Sequence, residues 1–190
     1  VQTDWMTADF NNNGKPDGPY DAFVDKNKNN KQDGDEPAVG DFQLMKEMGA
    51  NTIRLYHHST NKELLKDGYE RYGFMYLMGD FLGMYATGSG AQWYAGTDYT
   101  DTDQQKKMME SVKQIVTEYK DEPYILMWVL GNENNYGFPG TPGIEPGMGC
   151  RAKLQPEAYY RFVNEVAKMI KSLDPNHPVA ICNGEVNYLN

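Results

Sequence analysis

One carboxylate stands out by its setting. Tyr124 to Leu130 is a continuous apolar run, and Gly131-Asn132-Glu133-Asn134-Asn135 breaks it with a polar cluster centred on Glu133. Such a run has the composition of a strand buried on both faces, as in a parallel sheet. In parallel α/β folds, ligands gather beyond the carboxyl ends of the strands, so a strand that delivers Asn-Glu there is well placed to hold a catalytic acid. The plain alternative is a buried strand followed by an Asn/Gly-rich turn. Three other stretches end in the same manner. Asn51–His57 closes on Arg54, Tyr56 and His57, Phe74–Asp80 closes on Asp80, and Val179–Cys182 is followed by Asn183-Gly184-Glu185.

A second pattern points to a hard cation. Asp25, Asn27, Asn29, Asp33 and Glu36 fall at positions 1, 3, 5, 9 and 12 of a calcium loop, with the Lys31 carbonyl at position 7. Asn30 stands where such loops want glycine, and asparagine tolerates left-handed backbone best after glycine. Asp9, Asn11, Asn13, Gly14 and Asp17 repeat the opening of the pattern, but Tyr20 occupies position 12 and Asp21 follows one place late. No long amphipathic helices flank either loop, so the expected ion is a structural Ca2+ clip rather than a sensor. The bland reading is an Asn/Asp-rich solvated turn.

The elements that must position these residues alternate. Phe42, Leu44, Met45 and Met48 mark a short helix stopped by Gly49. Thr60 and Glu63 form a capping box for a helix to about Tyr72, closed by Gly73. Met108, Val112, Ile115, Val116 and Tyr119 share one face of a third helix. Pro156 suits the first turn of a fourth, with Tyr159, Phe162, Val163, Val166, Ile170 and Leu173 on its buried side. Long loops run from Phe81 to about Asp101 and from Asn134 to Gln155. Helix alternating with strand four times is the signature of a parallel α/β sheet. Polar groups at every strand end favour a (β/α)8 TIM barrel over a doubly wound sheet, since no glycine-rich phosphate loop follows any strand. The expected division is an Asp/Asn-rich calcium-loop segment over residues 1–38 and a partial TIM barrel, about half of one, over 39–190.

Composition narrows the partners. The chain of 190 residues carries a net charge of −9, which argues against a nucleic-acid backbone as ligand. Its 14 tyrosines exceed what a core of this size needs, so some are expected to line a cleft. No stretch is long and apolar enough to span a bilayer. No charged-then-apolar leader opens the chain, and Val1 reads as a processed or trimmed end. Cys150 and Cys182 have no metal-ligand spacing; they pair if the protein is secreted or remain free. His57 and His58 lack partners at zinc-ligand spacing.

With these residues in view, the chain resembles the catalytic barrel of the retaining glycoside hydrolase clan that includes family 2. More distantly it resembles the family 72 β-1,3-glucanosyltransferases. Asp41 to Tyr56 looks like the helix and second strand of those barrels, and Trp128-Val-Leu-Gly-Asn-Glu133 looks like their fourth strand. The resemblance implies a glycosidase or transglycosylase acting on β-linked saccharides by double displacement. It makes Glu133 the acid/base, Asn132 the contact to the sugar 2-hydroxyl, and Arg54 the support of a nucleophile. Tyr56, His57, Asp80, Trp93 and Tyr136 are the expected substrate contacts, with Tyr94 beside Trp93. The strands present correspond to the second to fifth, so the family's nucleophile would lie outside this chain. The rest of the barrel is expected in cis or from an assembly partner, and the protein in a secreted or extracytoplasmic setting. A different class also fits: a non-catalytic, calcium-stabilised carbohydrate-binding or assembly protein.

Overall fold

The computed structural model describes residues 9, 11–12, 14, 22–36, 39–57, 61–141 and 147–184. Asn13, Asp17, Tyr20, Asp21, His58, Thr60 with its capping box, and Glu185 lie outside the described residues. The chain divides into two compact units, residues 1–52 with 63–74 and residues 53–62 with 75–190.

In the first unit, helix α1 spans Asp41–Glu47 and α2 spans Lys62–Tyr72. Phe42 is the buried residue of α1, its ring meeting Tyr72 at 5.8 Å and Phe74 at 5.5 Å, both edge-on. Leu44 and Met48, expected on the buried face of α1, are instead exposed. A helix of two turns presents only a narrow stripe, and Leu44 and Met48 lie together on its other side. Gly73, at φ +74°, ends α2 as expected of a left-handed C-cap.

The second unit holds a four-stranded sheet in the order β1 (Thr52–Leu55), β2 (Met75–Asp80), β3 (Ile125–Leu130), β4 (Val179–Ile181). Strands β2 and β3 are parallel, as are β3 and β4. Parallel neighbours require crossovers; α3 (Thr102–Tyr119) joins β2 to β3 and α4 (Pro156–Leu173) joins β3 to β4. The Asp101 carboxylate caps α3 by accepting from the amides of Asp103 and Gln104, and Pro156 opens α4 where its missing N–H is not needed. Met108, Val112, Ile115, Val116 and Tyr119 of α3 are buried, with Tyr159, Phe162, Val166 and Ile170 of α4. They pack on each other and on Met78, Trp128 and Leu130 of the sheet.

Trp128 is tied down as well as buried. Its indole N–H donates to Asp174 Oδ2 at 2.7 Å, and His177 Nδ1 lies 2.7 Å from the same oxygen. The backbone amides of Asn176 and His177 bond the other carboxylate oxygen, so one buried aspartate joins β3 to the turn entering β4. Among the described residues, no helix is long and apolar enough to cross a membrane.

Candidate functional site

The sheet continues its hydrogen bonding past the last strand residues, which sets the strand ends level. Gly131 N–H donates to Asp80 O at 2.7 Å, Cys182 N–H to Leu130 O at 3.0 Å, and Glu133 N–H to Cys182 O at 2.8 Å. Glu133 therefore emerges at the carboxyl edge beside β2 and β4. Its backbone is left-handed, φ +59°, just after Gly131 at φ +76°. A non-glycine residue in that region costs about 1 kcal/mol or more and persists only where its surroundings enforce it.

Asn134 does much of the enforcing. It is completely buried, and its Oδ1 accepts from Asn132 N–H at 2.7 Å. Its Nδ2 lies 3.1 Å from both Phe81 O and Leu82 O and 3.0 Å from Tyr99 Oη. Tyr99 in turn donates to Leu82 O at 2.8 Å. The turn is thereby fastened to the loop after β2. Asn135 fastens its other side, accepting from Gly184 N–H at 2.7 Å.

Arg54 reaches this turn from β1. Its Nη2 donates to Asn132 Oδ1 at 2.9 Å, joining residues 78 apart in the chain. The guanidinium lies 4.4 Å from the centre of the Tyr56 ring, and Arg54 Nε is buried with no hydrogen-bond partner among the described residues. Arg54, Tyr56, Asn132 and Glu133 thus form one constellation, with Glu133 and Tyr56 exposed and Asn132 half-buried.

Asp80 is turned the other way. Its carboxylate is buried, accepts from Leu82 N–H at 2.7 Å and the Ser111 hydroxyl at 3.2 Å, and lies 3.9 Å from His57 Nδ1. Burial pushes the Asp80 carboxyl above the ordinary carboxylate range. Burial also pushes the His57 imidazole below its usual value, against the attraction of Asp80. Tyr136 lays its ring against Gly184, where a Cβ would come within 2.1 Å of it. Trp93 stands on the loop after β2, stacked on Tyr85. Cys150 and Cys182 are free thiols.

The Asp25–Glu36 loop belongs to the first unit. Asp25 accepts from the amides of Asn29 at 3.2 Å and Asn30 at 2.8 Å. Asn27 Nδ2 and Asn29 Nδ2 converge on Asp33 Oδ2 at 2.7 and 2.8 Å, and these bonds hold the Asp33 carboxyl below its usual range. Glu36, buried, accepts from Lys26 N–H at 2.7 Å and Asp33 N–H at 2.9 Å, and Asn30 is left-handed at φ +59°. In the upstream loop, Asp9 accepts from Gly14 N–H at 2.9 Å, and Asn11 is buried, bonded to Gln32. Among the described residues, no three or more His, Cys, Asp or Glu side chains gather into a metal cluster.

The residues that sequence patterns missed are the supports: Asn134, Tyr99, Ser111 and the Cys182 carbonyl. Only the run of three asparagines around Glu133 hints at them.

With this geometry in hand, known proteins are informative. The profile of "Glycosyl hydrolases family 2, TIM barrel domain" matches residues 25–190. A probable mannan endo-1,4-beta-mannosidase C of Aspergillus terreus is 38% identical over 69 residues, 36% of this chain and 16% of that protein. Mannan endo-1,4-beta-mannosidase F of Aspergillus clavatus is 34% identical over 92 residues, 48% of this chain and 16% of its own. The chain therefore spans about a sixth of the length of these relatives. Among solved structures, the β-glucuronidase of Parabacteroides merdae superimposes with a TM-score of 0.53 at 21% identity, covering 78% of this chain and 15% of that one. The β-glucuronidase of Bifidobacterium dentium gives 0.54 at 18%, covering 77% and 20%. At such identities the likeness is one of fold, a partial TIM barrel.

Proposed function

The chain belongs to glycosyl hydrolase family 2 through its TIM barrel domain, and on that premise we propose that it forms part of a retaining glycoside hydrolase acting on β-linked polysaccharide or oligosaccharide. The observation that carries this reading is the bond from Arg54 to Asn132 beside an exposed Glu133 at the carboxyl ends of parallel strands. Glu133 protonates the leaving glycosidic oxygen, then takes the proton from the incoming water or sugar hydroxyl. Asn132 Oδ1 is occupied by Arg54, which leaves its amide N–H for the sugar 2-hydroxyl. Arg54 Nε, buried without a hydrogen-bond partner among the described residues, suits a second carboxylate that attacks the anomeric carbon. Asp80 is a poor choice for that nucleophile, since Leu82, Ser111 and burial commit it to the interior. The resemblance to the family's barrels puts the nucleophile on a later strand of the protein, about 5 Å from Glu133 as retention requires. Tyr56, His57 and Tyr136 contact the sugar in the cleft, Trp93 contacts it farther out, and Asp80 lies behind His57, 3.9 Å from its Nδ1.

The mannan named for the fungal relatives makes β-mannan the first substrate to try, and transfer to a sugar acceptor accompanies hydrolysis where water is excluded. A structural Ca2+ in the Asp25–Glu36 loop, with Asn27 and Asn29 turned to present Oδ1 beside Asp25 and Asp33, suits a secreted or extracytoplasmic protein. In the full-length protein, Glu133→Gln is expected to lower turnover of β-1,4-mannooligosaccharides by about 10²–10⁴-fold, the usual worth of a general acid. Unchanged turnover removes Glu133 from the role. Sugar binding by a wild-type protein that cleaves none of the β-glycosides tried supports the non-catalytic alternative.

A further inference from the structure

Four aromatic rings follow one another in contact, starting beside the end of β1. His57, just past β1, stacks on Phe81 at 5.3 Å with 17° between the planes. Phe81 meets Tyr85 edge-on at 5.5 Å, and Tyr85 stacks on Trp93 at 6.2 Å and 13°. The inner rings are half-buried, while Trp93 is 41% exposed and its neighbour Tyr94 is 40% exposed. Tyr85 thus stacks on one side of the indole, which remains partly open to solvent.

The loop that carries these rings is held in a costly shape. Leu82, Tyr85 and Ala86 are all left-handed, at φ +47°, +57° and +55°. The second long loop enforces this. Gly149 O accepts from Ala86 N–H at 2.9 Å and Thr97 N–H at 3.0 Å, and Arg151 Nε donates to Ala95 O at 2.7 Å. Gly149 itself passes so close that a Cβ there would come within 2.7 Å of Tyr85 Cα. Strain maintained by surrounding contacts is a mark of functional loops. Here it fixes an apolar ring in water, contrary to what folding alone would favour.

We propose that the outer face of Trp93, with Tyr94 beside it, is a distal subsite for a further sugar of an extended β-linked chain. This deepens the function proposed above and rests on it for the position of the bond that is cut. A pyranose in a β-linked chain offers a flat face of C–H bonds that an exposed indole can cover, and the apolar area removed from water favours binding without demanding a particular hydroxyl pattern. Three ring contacts separate Trp93 from His57 at the strand end, which places the subsite beyond the sugars that flank the cleaved bond. Such a subsite favours longer β-linked chains over short ones.

The test is calorimetric binding of β-linked disaccharides and hexasaccharides (mannan, glucan) to the full-length protein, its Glu133→Gln form, Trp93→Ala and Trp93→Phe. At least one hexasaccharide is expected to bind tenfold or more tightly than its disaccharide. Trp93→Ala is expected to erase that difference without changing disaccharide affinity, and Trp93→Phe to keep most of it. Hexasaccharide affinity unchanged in Trp93→Ala, an equal loss for both lengths, or no hexasaccharide binding at all overturns the subsite. Length-dependent binding lost in Trp93→Ala but with no turnover by the wild type upholds the subsite and overturns only the hydrolase.

Discussion

Replacing Asn134 by Asp exchanges one amide NH2 for an oxygen and separates geometry from charge. The new side chain keeps an oxygen for Asn132 N–H, 2.7 Å away in the parent. It replaces the amide donor with an acceptor 3.1 Å from two carbonyl oxygens, Phe81 O and Leu82 O. Tyr99 can turn its hydroxyl to the new carboxylate, but only by abandoning Leu82 O, 2.8 Å away. Buried groups deprived of partners cost about 1–3 kcal/mol each, and breaking a buried polar arrangement around a charge about 3–5. About 3 kcal/mol is therefore expected at pH 8, which lowers Tm by roughly 6–12 °C in a unit of this size. Burial and the facing carbonyls raise the carboxyl above its unfolded value of about 3.9. A group raised in the folded state stabilises when protonated, so the deficit is smallest near pH 4 and grows as pH rises through the folded value. The assay is thermal unfolding of the full-length parent and variant, followed by circular dichroism at pH 4.5 and 8. A deficit that does not depend on pH, or one under 2 °C at pH 8, refutes the account of Asn134 as the donor that clamps the Glu133 turn.

Two further outcomes concern the rest of the fold. Asp174→Ala leaves the buried Trp128 N–H unpaired and is expected to cost about 1–3 kcal/mol. Burial opposes ionisation of Asp174, and hydrogen bonds from Trp128 and His177 outweigh it, so its carboxyl is held low. That contribution is present above about pH 4 and lost as pH falls through the folded value, so parent and variant melts should converge in acid; a constant gap would contradict it. Removing calcium with EDTA is expected to lower the Tm of the full-length protein, reversibly on adding Ca2+; identical melts dismiss the ion.

Periodicity carried much of the architecture. The apolar spacing of α3 and α4 named the residues that are buried, apart from Val163 and Leu173 at the edge of the α4 stripe, which are only half-buried. The short α1 did not allow this, and Leu44 and Met48 face solvent. The strand ends were legible because buried parallel strands are apolar runs that stop where polar groups start. The supports of the site were not. Asn134 meets partners 35 to 53 residues away, and no spacing rule encodes such contacts. Nor does any residue preference foretell left-handed backbone at Leu82, Tyr85, Ala86 and Glu133.

The bridge between Thr97 and Cys150 has a practical meaning for engineering this barrel. The loop after β2 and the loop after β3 are joined by backbone bonds from Gly149 and Arg151, so they make a single exchangeable cassette. Grafting either one alone onto a related barrel would strand the left-handed turn at Tyr85 without its glycine neighbour. The conformation of either loop is transplanted only when both travel together.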